Sequence, residues 1–350
     1  MKGKKGYMAK WLILAAILLS GCSGDSTSDI TSSGNKTEIN INAEVWRMME
    51  GTRATFFDSG TQSSGGFTCT AYTENTTGYN LESDINACTV VWSGGHWEFG
   101  SHRWPNSDAL DFFAYMPQYD SKPSYISSIT YAVSGEPDAP APSFVCNDLP
   151  MTYNSASPTA GQGNGLNEFV WAMTIGQNKT NQGESGVTMK FRHPFARIKF
   201  QLAANNPNIT INSITLKGLN TGGTCTFTKT GIAASYYYTT SSWSSLSGNS
   251  DFVMTLSSYA ATFNNNPASA VPIGGYADSQ HTGVDLIMIP QSWAGAIDVN
   301  VTWDDWGTPK TETLSTTAAT TWQPGYSYTY TFTISKYALI VNTEKFTEQW

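Results

Sequence analysis

The residue whose chemistry is clearest is Cys22. It closes the run Leu19-Ser20-Gly21-Cys22, small residues ahead of a thiol, the pattern of a lipobox whose sulfur takes a diacylglycerol before the leader is cut. Lys2, Lys4, Lys5 and Lys10 precede a short apolar core at residues 11–19. That core is shorter than the roughly 20 apolar residues a membrane span needs, and it has the length of a signal-peptide core. Residues 1–21 are therefore expected to be a lipoprotein signal peptide, with Cys22 the lipidation site and membrane anchor.

Four further thiols, Cys69, Cys88, Cys146 and Cys225, form an even set on the oxidising side of a membrane. They are candidate disulfide cysteines; three connectivities are open, and buried thiols are the alternative. No Cys-x-x-Cys spacing points to zinc or redox chemistry. The histidines at 96, 102, 193 and 281 are dispersed, with no pair at helical spacing, so no metal site is expected. No nucleophile elbow or phosphate loop occurs, and nothing marks a pair of carboxylates for glycoside hydrolysis. Asp304-Asp305 precedes Trp306-Gly307 where Asp is expected for turn reasons. The chain is predicted to be neither an enzyme nor a cofactor carrier.

Aromatic faces offer a second kind of chemistry, stacking on sugar rings. There are 12 Trp and 17 Tyr. Trp306 and Trp243 sit in turn-like surroundings and are the expected exposed platforms, whereas Trp303 shares a strand face with Val299 and Val301 and is expected inside.

The elements that would position these residues read as strands. Charged residues make up 13% and aromatics 13%, and Ser, Thr, Asn and Gly abound, a composition of extracellular β proteins. Without the four leader lysines the chain carries 15 basic and 27 acidic residues, net −12, which argues against a nucleic-acid partner. Residues 22–37 read as a polar tether. In residues 38–45, Ile39, Ile41, Ala43 and Val45 alternate with polar residues, a half-buried strand; the loop after it holds Arg53. Residues 87–99 read as a hairpin around Gly94-Gly95 with Trp92 facing Trp97. Residues 121–165 read as loops around one or two short strands. A second unit begins near Val187 with a long strand bent at His193-Pro194. The expected fold is all-β, two sandwiches in series: an N-terminal domain at 38–186 and a C-terminal one at 187–350.

Taken in order, several segments resemble the fimbrillins, lipoprotein-derived pilins of type V pili, and their fimbrillin-like and minor fimbrial relatives. They are the lipobox at Cys22, the strand of Ile39 and Val45, Thr52-Arg53-Ala54, Trp104-Pro105 and Leu110-Asp-Phe-Phe-Ala-Tyr-Met-Pro117. The second half adds Phe191-Arg-His-Pro-Phe-Ala-Arg-Ile-Lys-Phe200, Ile289-Pro290-Gln291 and Trp322-Gln-Pro-Gly-Tyr-Ser-Tyr-Thr-Tyr-Thr-Phe332. The resemblance implies two transthyretin-like sandwiches and an outer-membrane, fimbrial location. It also implies removal of strand 38–47 by a trypsin-like protease after an Arg, then head-to-tail polymerisation with other pilin subunits by strand exchange. Arg53, ahead of Ala54, is the expected cut and Arg47 its alternative. The segment 337–350 is the expected donor, with Tyr337, Leu339, Val341, Phe346 and Trp350 as its contact residues; forming the last strand of its own domain is the alternative. The runner-up function is a monomeric surface lipoprotein that binds glycans through exposed aromatics.

Overall fold

The computed structural model describes residues 38–45, 66–75, 78–93, 96–105, 109–118, 122–130, 142–154, 169–181, 186–203, 209–233, 236–256, 260–261, 271–273, 285–335 and 338–346. Cys22, Arg47, Arg53, Ala54, Tyr337 and Trp350 lie outside them.

In chain order the strands begin with β1 (Ile41–Val45), β2 (Phe67–Asn75), β3 (Gly78–Leu81), β4 (Cys88–Ser93), β5 (His96–Glu98), β6 (Leu110–Met116), β7 (Ile126–Thr130), β8 (Ser143–Cys146) and β9 (Thr152–Asn154). Next come β10 (Val170–Gln177), β11 (Val187–Phe191), β12 (Ala196–Leu202), β13 (Ile209–Leu219), β14 (Gly222–Ala233), β15 (Tyr236–Ser247), β16 (Ser250–Thr255), β17 (Ala260–Ala261) and β18 (Val271–Pro272). The last are β19 (Asp285–Met288), β20 (Ser292–Trp293), β21 (Ala296–Asp305), β22 (Thr308–Thr317), β23 (Thr320–Thr321), β24 (Ser327–Ser335) and β25 (Ala338–Phe346). A single 3-10 turn at Ser83–Ile85 accompanies them among the described residues. The fold is all-β, as composition and alternation predict.

The apolar faces collect in two clusters. In the first, the sheet β10-β6-β2-β4-β5, with β3 on β2, packs with the parallel pair β1-β11. Phe67 sits at its middle, edge-on to Trp97 at 5.0 Å and to Phe191 at 5.2 Å. The expected hairpin is there, with Trp92 opposite Trp97 in the β4-β5 register. In the second, the sheet β18-β12-β24-β25 shares a core with β22-β21-β13-β16-β9, and β15-β14-β8-β7 lies alongside.

Strand β13 shows how local sequence serves the larger packing. Ile209 and Ile211 are buried, and so are Ile214 and Leu216, although a strand's period of two would send the second couple outward. The register against β21 shifts between Ile211 and Ser213, a bulge that restores the phase. Asn212 occupies it and gives its side-chain amide to Asn300 Oδ1 at 2.8 Å and Thr302 Oγ1 at 3.0 Å.

Two of the segments that carry the family resemblance, those of Gln291 and Trp322, form corners tied by side-chain hydrogen bonds. Gln291 is buried and its Oε1 accepts from the Asn220 backbone N–H at 3.0 Å and from Asn220 Nδ2 at 2.9 Å. Trp322 Nε1 donates to Tyr330 Oη at 2.9 Å, and Tyr328 Oη donates to Thr321 O at 3.0 Å. These bonds satisfy the polar ends of aromatics whose rings fill the core.

The two apolar clusters do not part at 186/187, where the boundary between two sandwiches is expected. Val187, Met189 and Phe191 belong to the first cluster, whereas Phe195, Ile198 and Phe200 belong to the second. What reads as one bent strand is two, β11 and β12, and the bend at His193-Pro194 passes the chain from one core to the other. Among the described residues of 121–165 there are three short strands, and they serve the second cluster: β7 pairs β8, β8 pairs β14 and β9 pairs β16. Strands this short leave no periodic signal of their own.

Candidate functional site: the seat of strand β1

Strand β1 is held mainly on one side. It runs parallel to β11, with Ile41 opposite Val187 and Val45 opposite Phe191. The Val187 N–H donates to Asn40 O at 2.8 Å. On the other flank, Ile39 N–H donates to His102 O at 2.8 Å, and Glu38 bridges Arg103. Ile39, Ile41 and Ala43 are buried in the first cluster, as their alternation predicts; Val45 lies in the strand.

Beyond β11 lies β10. Trp171 and Arg192 exchange backbone hydrogen bonds at 3.1 and 2.8 Å, and Thr174 Oγ1 donates to Thr188 O at 2.8 Å. β11 is therefore sandwiched between β1 and β10, and without β1 its outer edge would present unpaired backbone groups above an apolar trough. Unpaired strand edges recruit further strands.

Gly186 makes the seat possible. Its φ of +81° lies in the left-handed region; a Cβ there would lie 2.7 Å from Asn40 Cβ and overlap the Asn40 carbonyl. Only glycine lets β1 approach so closely while the chain turns into β11. Sequence reasoning missed β11 as the partner of β1; the isolated Gly-Val step at 186–187 was the one local signal. His102, which caps the trough through its carbonyl, sets its ring 4.4 Å from that of Phe99, tilted by 47°. Burial lowers its pKa, an effect the Asp84 charge and a bond to Phe99 oppose.

The described part of the expected donor tail is β25, within residues 338–346. β25 pairs antiparallel with β24, Leu339 opposite Ile334 and Val341 opposite Phe332, the alternative that it forms the last strand of its own domain. Leu339 is buried, Val341 half-buried, Ile340 57% exposed, and residues 342–345 are exposed. Lys345 Nζ sits 4.1 Å from the Tyr326 ring centre and donates to Gln323 Oε1. Phe346 ends the strand.

The two aromatic platforms separate. Trp306 is 99% exposed at the two-residue tip of the β21-β22 hairpin, with φ of 57°. Trp243 is not an exposed platform: its Nε1 donates to Pro194 O at 2.7 Å, and its ring packs on Phe195 at 5.2 Å and Phe144 at 5.5 Å. The Ser-rich neighbours that suggest a turn instead lie along a long hairpin, with Trp243 turned toward the bend. Trp303 is half-buried and packs on the second core.

The four later cysteines are buried thiols, none joined by a disulfide in this structure. Among the described residues, no group of three or more His, Cys, Asp or Glu is placed to hold a metal ion.

Comparison with known proteins gives the site its context. No curated protein sequence matches the chain. Among solved structures, a cell-adhesion candidate from Bacteroides ovatus is 14% identical, with 89% of this chain and 97% of that one aligned and a TM-score of 0.47. A similar candidate from Bacteroides uniformis is also 14% identical, covering 88% and 98%, with a TM-score of 0.45. The tip fimbrial protein Mfa3 from Porphyromonas gingivalis, truncated at its C-terminus, is 9% identical, covering 84% and 96%, with a TM-score of 0.34. The family model described as fimbrillin-like matches residues 52–350. The chain belongs to the fimbrillin-like family.

Proposed function

We propose that this protein is a structural subunit of a surface pilus, exported as a lipoprotein through Cys22 and polymerised by strand exchange into the seat of β1. The observation that carries the reading is β1 itself: the first strand among the described residues, paired along one ladder, with Ile39, Ile41 and Ala43 buried on one face. Family membership supports the coarser part, a fimbrial, cell-surface protein that associates with other pilin subunits. In this reading a trypsin-like protease cuts after Arg53, or after Arg47, and β1 leaves.

The incoming strand supplies the backbone bonds that β11 has lost and the alternate side chains that fill the trough. The donor is the tail 337–350 of the next subunit. It would have to leave β24, giving up that ladder and the burial of Leu339, and both would have to be regained in the seat of β1. Because groove and donor lie at opposite ends of the chain, the contact is heterologous and propagates into a filament unless the rotation closes a ring. The test is electron microscopy after limited trypsin treatment. Filaments from the full chain, and none after deletion of residues 337–350, support the reading; normal filaments from the deleted chain refute the donor.

A second reading is favoured by Trp306. A bulky residue with φ above zero costs about 1–2 kcal/mol, and this one shows its whole indole to solvent. Such a ring suits stacking on a sugar. A glycan array that detects saturable binding, abolished by Trp306→Ala, would support adhesion through this hairpin.

A further inference from the structure

The four buried cysteines fall into two couples, one in each core. Cys69 and Cys88 belong to the first cluster, Cys146 and Cys225 to the second. That separation removes two of the three connectivities.

The couples differ in register. Cys69 on β2 stands directly opposite Cys88 on the antiparallel β4. Opposed residues in such a pair have Cα atoms about 4.5–5.5 Å apart, inside the roughly 4.4–6.8 Å a disulfide spans. Cys146 on β8 stands opposite Gly223, and Cys225 on β14 opposite Phe144. The second couple is thus diagonal, and diagonal neighbours lie about 7–8 Å apart, beyond the span without backbone movement. Cys88 Sγ now donates to Asp84 O at 3.4 Å; rotation about its χ1 is what the bond would require.

We propose that Cys69 and Cys88 close a cross-strand disulfide as the first sandwich folds outside the cytoplasm, while Cys146 and Cys225 stay thiols. The oxidant is a thiol–disulfide exchange protein of the envelope. One cysteine thiolate attacks a sulfur of the donor disulfide, forming a mixed disulfide and expelling one donor thiolate. The second cysteine thiolate attacks the mixed bond and expels the other. Two chain thiols lose two protons and two electrons, and the donor disulfide becomes a dithiol. In the folded chain Cys69 is fully buried and Cys88 4% exposed, and burial, with the neighbouring Cys88, holds the Cys69 thiol well above its usual range. The bond therefore forms before the core closes.

The place of the bond gives it a role. β4 meets β2 at three positions only, Phe67 with Val90, Thr68 with Thr89, and Cys69 with Cys88, and β5 is attached through β4. A covalent link at the end of that short ladder keeps the hairpin in place when β1 is absent, a consequence that rests on strand exchange; the bond itself does not.

The experiment is to purify the exported chain without reductant, denature it, alkylate it and map its peptides. A non-reduced peptide joining Cys69 to Cys88, with alkyl groups on Cys146 and Cys225, is the expected result. Cys69→Ser should add alkylation at Cys88 and leave the other couple unchanged. Alkylation of all four in the parent chain, or a Cys146–Cys225 link, overturns the assignment. A chain that polymerises with four thiols refutes the disulfide and leaves strand exchange standing; a mapped bond in a chain that never polymerises supports the disulfide and refutes strand exchange.

Discussion

Replacing Ile41 by Ala should loosen β1 without dissolving the sandwich around it. Ile41 is 5% exposed and packs in the first cluster. Truncating a buried Ile to Ala costs about 2–5 kcal/mol. Burial of Ile39 and Ile41 together stabilises the seated strand by about 3–6 kcal/mol gross, an upper estimate. The substitution therefore removes most of what holds β1 down. At about 1.4 kcal/mol per tenfold, the unseated population rises by about 25-fold or more. Amide hydrogen exchange reads that population residue by residue. The amides of residues 42–45, and those of β11 that bond to them, should exchange faster by that factor, while amides in β13 and β21 keep their protection. Equal acceleration in β1 and β13 would refute the reasoning, because it would make the strand part of one cooperative unit.

Two further changes test other contacts. Gly186→Ala should unseat β1 as well, because the new Cβ meets the Asn40 backbone and φ stays near +81°; trypsin digestion of the N-terminal segment should quicken, and an unchanged rate would count against the fit. The ion pair of Lys217 Nζ and Asp298 Oδ2, 2.5 Å apart, predicts a pH dependence. Burial would raise the Asp298 pKa, but hydrogen bonds from Lys217 and Ser315 and the Lys217 charge outweigh it, and the carboxyl sits below its usual 3.8. Its contribution is present above that ordinary value and disappears as pH falls through the lower folded one. Asp298→Asn should therefore lower the melting temperature at neutral pH and lose that effect once acid has protonated the folded carboxyl; an equal deficit across the whole pH series would show that charge is not the cause.

How much of this was legible in sequence follows from which contacts are local. The alternation of Ile39, Ile41 and Ala43 announces a half-buried strand, and Trp92 and Trp97 around two glycines announce a hairpin with its register. The partner of β1 is not legible, since a parallel pairing with residues 187–191 leaves no turn between them to read. Trp243 was misread because Ser-Ser-Trp-Ser-Ser looks like a turn; small polar residues also line the long β14-β15 hairpin, where position decides which face a ring takes. The bulge at Asn212 was likewise hidden, because a break in alternation does not say whether a strand has ended or added one residue.

The bend at His193-Pro194 has a mechanical consequence. β11 and β12 are consecutive in the chain, so tension between the two cores travels along covalent backbone and does not depend on side chains at their boundary. At either end the load enters a parallel ladder, β1 on β11 and β12 on β24. Force along such strands shears every rung at once instead of peeling them singly. A molecule built this way would resist extension along that line far better than a transverse pull.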